Sequence, residues 1–382
     1  MSISSNKSVV VRQVFAEDLD NELLMIKAAI LRYPFVSIDT EFPGTIFKPS
    51  KQVIHEGNPI INYHYMKLNV DALQIIQLGL SLSDAQGNLP DFDSPFSYVW
   101  EFNFRDFDIN RDCYASDSIE LLKRQGIDFE KNKEKGIDSK DFAKKFWDYG
   151  LLFNCYGLKS ITWITFHGTY DFGFMLKILT QSPLPLHLHS FMHQLAYFFG
   201  CNIFDLKYTF KFLGLLGGLE KIAQTLNVAR ITGSSHQAGS DSLLTLQCFM
   251  KLKSENVFQS KWNETNQMLL PPLALYGLVQ TEVLGFLDYW GLINFHPVDS
   301  AAVSADDDES AVLDDLLRDL RDHLLITIAT LVQLIALGSA TIARSSFMFL
   351  REQEGILSLK MSEATETKTT SQYDEVPQEG IR

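Results

Sequence analysis

Cysteine is scarce in this chain: Cys113, Cys155, Cys201 and Cys248 are the only four among 382 residues, and no two form a CxxC pair. That spacing excludes a zinc ribbon, and the low number argues against a disulfide scaffold. The four are expected to be buried thiols of a protein kept in a reducing compartment. Residues 1–23 lack the apolar stretch and cleavage site of a secretory signal. No internal repeat is found. Basic residues are in deficit, 33 against 47 acidic, for a net charge of −14. A long basic surface for nucleic acid is therefore not the first expectation. The deficit is local, however. From Val283 to the end there are 17 acidic and 7 basic residues, whereas residues 1–282 hold 30 and 26, close to balance.

What is present is ordinary for a globular protein, with 46% hydrophobic and 21% charged residues. The length allows one large domain with an extension, or two ordinary domains. Phenylalanine is frequent, at 28 residues, so the core should be largely aromatic. Hydrophobic spacing predicts a helix over about 16–31, ended by Pro34, and then a strand over Phe35–Phe42, stopped by Pro43-Gly44. Residues 48–67 read as a polar loop. Strands are expected at 72–82 and 98–104, around a turn at Gln86-Gly87-Asn88, which makes an antiparallel meander. A further strand is expected at 160–166. Helices follow at about 171–179 and 191–199, then one opened by Gly217-Gly218 that ends near Leu226, and one from Ser240, which is placed as a cap. Strands first and helices interleaved later predict an α/β fold, a mixed sheet flanked by helices.

Asp39 and Glu41 stand two apart on the first of these strands, so both carboxylates project from one face. A solvated edge strand would explain such a pair, but Phe35, Val36, Ile38 and Phe42 are too apolar for one. Buried together, the two acids repel each other and resist desolvation, unless a divalent cation neutralises them. Asp171 opens the helix after the strand at 160–166, and Asp241 falls in the first turn of the helix at Ser240. Either could be a first-turn Asp. His236 lies on the Gly-containing loop before that helix. Asp39, Glu41, Asp171 and Asp241 offer oxygen ligands only, a set for magnesium or manganese rather than zinc. Four carboxylates can hold two such ions about 4 Å apart, the arrangement for in-line phosphodiester cleavage. His236 is then the candidate base for the attacking water. Asp91/Asp93 and Asp106/Asp108 repeat the spacing in loop sequence and are expected to be solvated, as are His187 and His189.

Three stretches resemble the exonuclease motifs of the DEDD superfamily, His variant: Phe35-Val36-Ser37-Ile38-Asp39-Thr40-Glu41-Phe42-Pro43-Gly44, Tyr170-Asp171-Phe172-Gly173, and His236-Gln237-Ala238-Gly239-Ser240-Asp241-Ser242-Leu243-Leu244. More narrowly they resemble the Caf/Pop-type poly(A) ribonuclease subunit of the CCR-NOT complex. Asn69-Val70-Asp71, Gln74–Leu80, Asp117–Leu122 and Gly217-Gly218-Leu219 add to that likeness. The resemblance implies a ribonuclease-H-like fold and 3′→5′ removal of poly(A) tails from messenger RNA with two divalent ions, magnesium or manganese. It further implies docking on the NOT scaffold protein and a cytoplasmic and nuclear location. It assigns Asp39, Glu41, Asp171 and Asp241 to the metals and His236 to the base. A non-catalytic scaffold subunit and a DNA-directed exonuclease are the alternatives.

The resemblance ends near residue 280, so the expected domains are a nuclease at 1–280, an acidic linker at 281–323, a hydrophobic segment at 324–343 and a polar, disordered tail at 344–382. The family says nothing of this C-terminal extension. Residues 324–343 carry no charge over 20 positions, about 30 Å as a helix, the thickness of a bilayer core. Arg318 and Arg321 on one side and Arg344 and Arg351 on the other give no orientation. A membrane anchor, a packing helix and an unstructured addition all remain open for this segment.

Overall fold

The computed structural model describes residues 7–50, 58–151, 161–200, 202–212, 214–255 and 274–278. The expected linker, hydrophobic segment and tail lie outside the described residues, as does the start of the strand expected at 160–166. Among the described residues no helix is long and apolar enough to cross a membrane. The strands are β1 (Ser8–Val14), β2 (Phe35–Glu41), β3 (Gln77–Ser83), β4 (Phe96–Asn103), β5 (Thr162–Thr165) and β6 (Ile203–Asp205). The helices are α1 (Leu19–Ile30), α2 (Pro59–Ala72), α3 (Ser116–Arg124), α4 (Phe129–Lys135), α5 (Ser139–Asp148), α6 (Thr169–Thr180), α7 (Leu188–Phe199), α8 (Leu206–Phe212), α9 (Leu219–Thr225) and α10 (Ala238–Ser254).

The six strands form one sheet in the order β1-β4-β3-β2-β5-β6. β3 runs antiparallel to both its neighbours, and the other pairings are parallel. This is the mixed, helix-flanked sheet of a ribonuclease-H-like fold, and β2–β3–β4 is the expected meander. The aromatic core is present: Trp100, Trp163, Phe102, Phe142, Phe172 and Phe199 are fully buried. They meet edge to face, with Phe102–Phe142 at 5.3 Å and Trp163–Phe199 at 5.1 Å between ring centroids.

Three expectations need correction. The loop expected at 48–67 contains most of α2. Asn58 caps that helix by accepting from the Ile60 and Ile61 N–H groups, and Pro59 occupies its first turn. Tyr63, Met66 and Val70 make a buried helical stripe that the polar residues between them hide. The strand expected from Ala72 therefore starts only at Gln77, because α2 runs to Ala72. Cys113 is exposed, whereas Cys248 is buried, with its thiol pushed up to about 12 by that burial; Cys155 and Cys201 lie outside the described residues. β1 and β6 went unread, β6 because three residues carry too little periodicity.

The sheet register decides what faces α10. Asp39 sits opposite Gly79 and Glu41 opposite Gln77, so all four share a face. A Cβ on Gly79 would lie 1.8 Å from the Ala238 carbonyl oxygen. The first turn of α10 thus rests directly on the backbone of β3, and only glycine permits it. Gly79→Ala must push α10 off the sheet, and overpacking of this kind costs about 1–3 kcal/mol. Thermal unfolding should show a clearly lowered midpoint; a midpoint within one degree of wild type would contradict this packing.

Candidate active site

The five residues singled out from the sequence converge at one edge of the sheet. β2 ends at Glu41, and its Asp39 and Glu41 face the first turn of α10, which carries Asp241. Thr40, between the two acids, points to the opposite face. Its N–H and hydroxyl both donate to Asp171 Oδ1, at 2.8 and 2.5 Å, and so tie α6 to β2. His236 has a left-handed backbone (φ 60°), and its N–H donates to Asp241 Oδ2 at 2.9 Å. One ligand atom each from Glu41, His236 and Asp241 lie within 4.8 Å of one another. His236 is exposed, whereas Glu41, Asp171 and Asp241 are buried.

The electrostatics are those of a crowded acidic site. Burial first, and then the carboxylates of Asp171, Asp241 and Glu41, hold Asp39 well above the usual carboxylate range. Glu41 is raised well above it for the same reasons, with Asp241, Asp171 and Glu101 as the neighbouring charges. Burial raises Asp171 to about 7, against the opposing hydrogen bonds from Thr40. Among the described residues one cation answers the cluster: Arg230 Nη2 stands 2.6 Å from Asp241 Oδ1 and also pairs with Glu220 at 2.7 Å. Four carboxylates against one shared guanidinium leave a negative excess that hard cations would neutralise. The all-oxygen donor set beside one imidazole fits magnesium or manganese.

Several residues that build the site were not singled out from the sequence. Glu101 is buried on β4, and its Oε2 accepts the Gly239 N–H at 2.8 Å, so it caps the start of α10. Its other oxygen accepts from Gln13 and Gln77. A lone acid inside an apolar strand was the available signal, the same one that marked Asp39 and Glu41. The cap expected at Ser240 is in fact Gln237, and Ser240 lies inside the first turn, its hydroxyl donating to the Thr232 carbonyl. Asp106, expected to be solvated, is half-buried and accepts from the N–H and hydroxyl of Ser139, at the start of α5. Its partner Asp108, likewise half-buried, pairs with Lys133. His187 and His189 are exposed, as expected.

Known proteins resemble this chain. A family model described as CAF1 family ribonuclease matches residues 14–145. The poly(A) ribonuclease pop2 of Schizosaccharomyces pombe is 43% identical over 253 residues, 66% of this chain and 71% of pop2. The solved structure of S. pombe Pop2p in a magnesium- and manganese-bound form is 40% identical and superposes with a TM-score of 0.60, covering 70% of this chain and 99% of that one. The CAF1 chain co-crystallised with the yeast NOT1 MIF4G domain is 33% identical, with a TM-score of 0.54 over 68% of this chain and 94% of that one.

Proposed function

The chain belongs to the CAF1 family of ribonucleases, and from that premise we propose that it shortens poly(A) tails of messenger RNA as a 3′→5′ exoribonuclease dependent on divalent metal. The observation that carries the reading is the convergence of Asp39, Glu41, Asp171 and Asp241 beside His236, on elements far apart in sequence. We assign the four carboxylates to two ions. When bound, these ions supply the positive charge that polarises the scissile phosphate and offsets the negative charge of the displaced 3′ oxygen.

The chain's own residues do the rest. Thr40 and Glu101 hold Asp171 and the first turn of α10 at fixed positions before substrate arrives, so little reorganisation is left for the reaction. The imidazole of the exposed His236 can reach the solvent side of the cluster. Its ring nitrogen accepts the proton of the attacking water, a role that suits imidazole near neutral pH. Docking on a NOT1-type MIF4G domain is proposed from the co-crystallised relative.

The test is incubation with magnesium and a 5′-labelled oligo(A), beside oligo(U) and oligodeoxy(A). Stepwise shortening of oligo(A) in preference to the other two is expected. No shortening would favour a non-catalytic scaffold subunit, and equal loss of oligodeoxy(A) a DNA-directed enzyme. His236→Ala should lower kcat about 10²–10⁴-fold and keep the rise in melting temperature caused by manganese. Loss of that rise would make His236 a ligand instead of a base.

A further inference from the structure

β2, β5 and β6 run parallel, so their C-terminal ends share one edge of the sheet, the side on which open α/β sheets bind ligands. Glu41 ends β2, and the chain leaves β5 through Phe166-His167 and β6 through Leu206-Lys207. With strands spaced by about 4.8 Å, β6 lies about 10 Å from β2, within a few stacked nucleotides of the carboxylates.

Three chain segments are tied together at this edge by one buried acid. Asp205 accepts the backbone N–H groups of His167 (2.8 Å), Gly168 (3.2 Å), Lys207 (2.9 Å) and Tyr276 (2.9 Å). The Thr169 hydroxyl donates to the Tyr276 carbonyl at 3.0 Å, so the same segment is fastened to the helix that carries Asp171. The side chains held this way are not core. His167 is exposed, and Lys207 and Tyr276 are half-buried. The Tyr276 ring meets the His167 ring edge to face at 5.1 Å. Lys207 Nζ stands 5.5 Å from the ring centroids of both Tyr276 and Phe166. Among the described residues, Lys207 pairs with no carboxylate, in a chain of net charge −14. His167 holds φ at 67°, in the left-handed region, where the turn after β5 presents its ring to Tyr276.

An aromatic face beside an unpaired ammonium is the pairing that binds single-stranded nucleic acid: the ring stacks a base and the cation takes a phosphate. We infer that Tyr276, His167 and Lys207 form a nucleotide subsite next to the catalytic carboxylates, seating the RNA just upstream of the residue being removed. Tyr276 stacks the base, and Lys207 holds a phosphate. This rests on the ribonuclease reading and adds to it the means by which an acidic site retains an anionic substrate between cleavage steps.

The test uses the full chain and a fluorescent oligo(A), with binding measured in calcium and KM and kcat measured in magnesium. Lys207→Gln should weaken binding about three- to tenfold and lower the slope of log K against log salt by about 0.7, one phosphate contact on a single strand. Lys207→Arg should keep the slope. Tyr276→Leu should weaken binding about 5- to 100-fold, and Tyr276→Phe should restore it, since the ring and not the hydroxyl stacks. In each weakened variant KM rises while kcat changes less than about twofold, a split that loosening of the neighbouring helix would not produce. An unchanged salt slope in Lys207→Gln, or equal weakening by Tyr276→Leu and Tyr276→Phe, overturns the subsite. Binding without any shortening of oligo(A) by the wild-type chain would instead count against the ribonuclease reading and leave the subsite standing.

Discussion

Exchanging Asp39 for Asn is expected to lower the rate of oligo(A) shortening by at least about 10²-fold, the usual cost of removing a preorganised charged group from an active site. The metal-free variant should nevertheless melt at a higher temperature than metal-free wild type. Burial first, and then crowding by Asp171, Asp241 and Glu41, disfavour the Asp39 charge, so that charge opposes folding at neutral pH, and the neutral amide removes the cost. Asp241→Asn should lose as much activity without the gain in stability. Its carboxylate pairs with Arg230 at 2.6 Å and accepts the His236 N–H, and the amide leaves a largely buried guanidinium short of its partner. Activity above about a tenth of wild type in either variant would count against the metal assignment. So would a pattern of melting temperatures in which Asp241→Asn gains and Asp39→Asn loses.

The second large effect is that of the metal on both rate and stability. Excess chelator should stop the reaction, and magnesium or manganese should restore it without zinc. The stability of the chelated protein should also depend on pH in a defined direction. Asp39, Glu41 and Asp171 are all raised in the folded state, so the folded chain binds more protons than the unfolded one. Their contribution is therefore complete below the unfolded carboxylate value of about 4. It is lost as pH rises through the folded value, about 7 for Asp171. For Asp171 the loss is on the order of a few kcal/mol, and the cation should reverse the whole effect by neutralising the ionised cluster. Denaturant unfolding in chelator and in manganese across this range would show two curves that diverge as pH rises. Superimposed curves, or full activity in chelator, would sink the mechanism.

Much of the site was legible because its signals are local. Asp39 and Glu41 declare themselves by acidity on a strand whose other residues are apolar, and period-two geometry places them on one face without knowledge of the neighbours. Asp171 and Asp241 sit at helix starts that hydrophobic spacing locates within two or three residues. The absence of CxxC pairs and the all-oxygen set pointed to a hard cation for the same reason, since ligand chemistry is a property of side chains. Local signals also misled. The stripe of α2 is thin and interrupted by Asn and His, so its sequence has the polar pattern of a loop. Asp106 has the spacing of a solvated pair but is half-buried against Ser139.

By itself, then, the sequence determined the chemical groups, their local secondary structure and the kind of metal they suit, because each depends on residues within one strand or one turn. It also determined the aromatic character of the core, which follows from composition. The tertiary structure alone decided that these groups meet. Thr40 and Asp171 are 131 residues apart and are joined by hydrogen bonds that exist only because β2 and β5 are parallel neighbours. Gly79 admits the start of α10, and Glu101 caps it, only because the register of β2, β3 and β4 sets both under that helix. Asp205, in a strand of three residues, gathers His167, Lys207 and Tyr276 from three segments. No local period encodes such a meeting; strand order and register do, and they are settled by how the whole sheet buries its two faces.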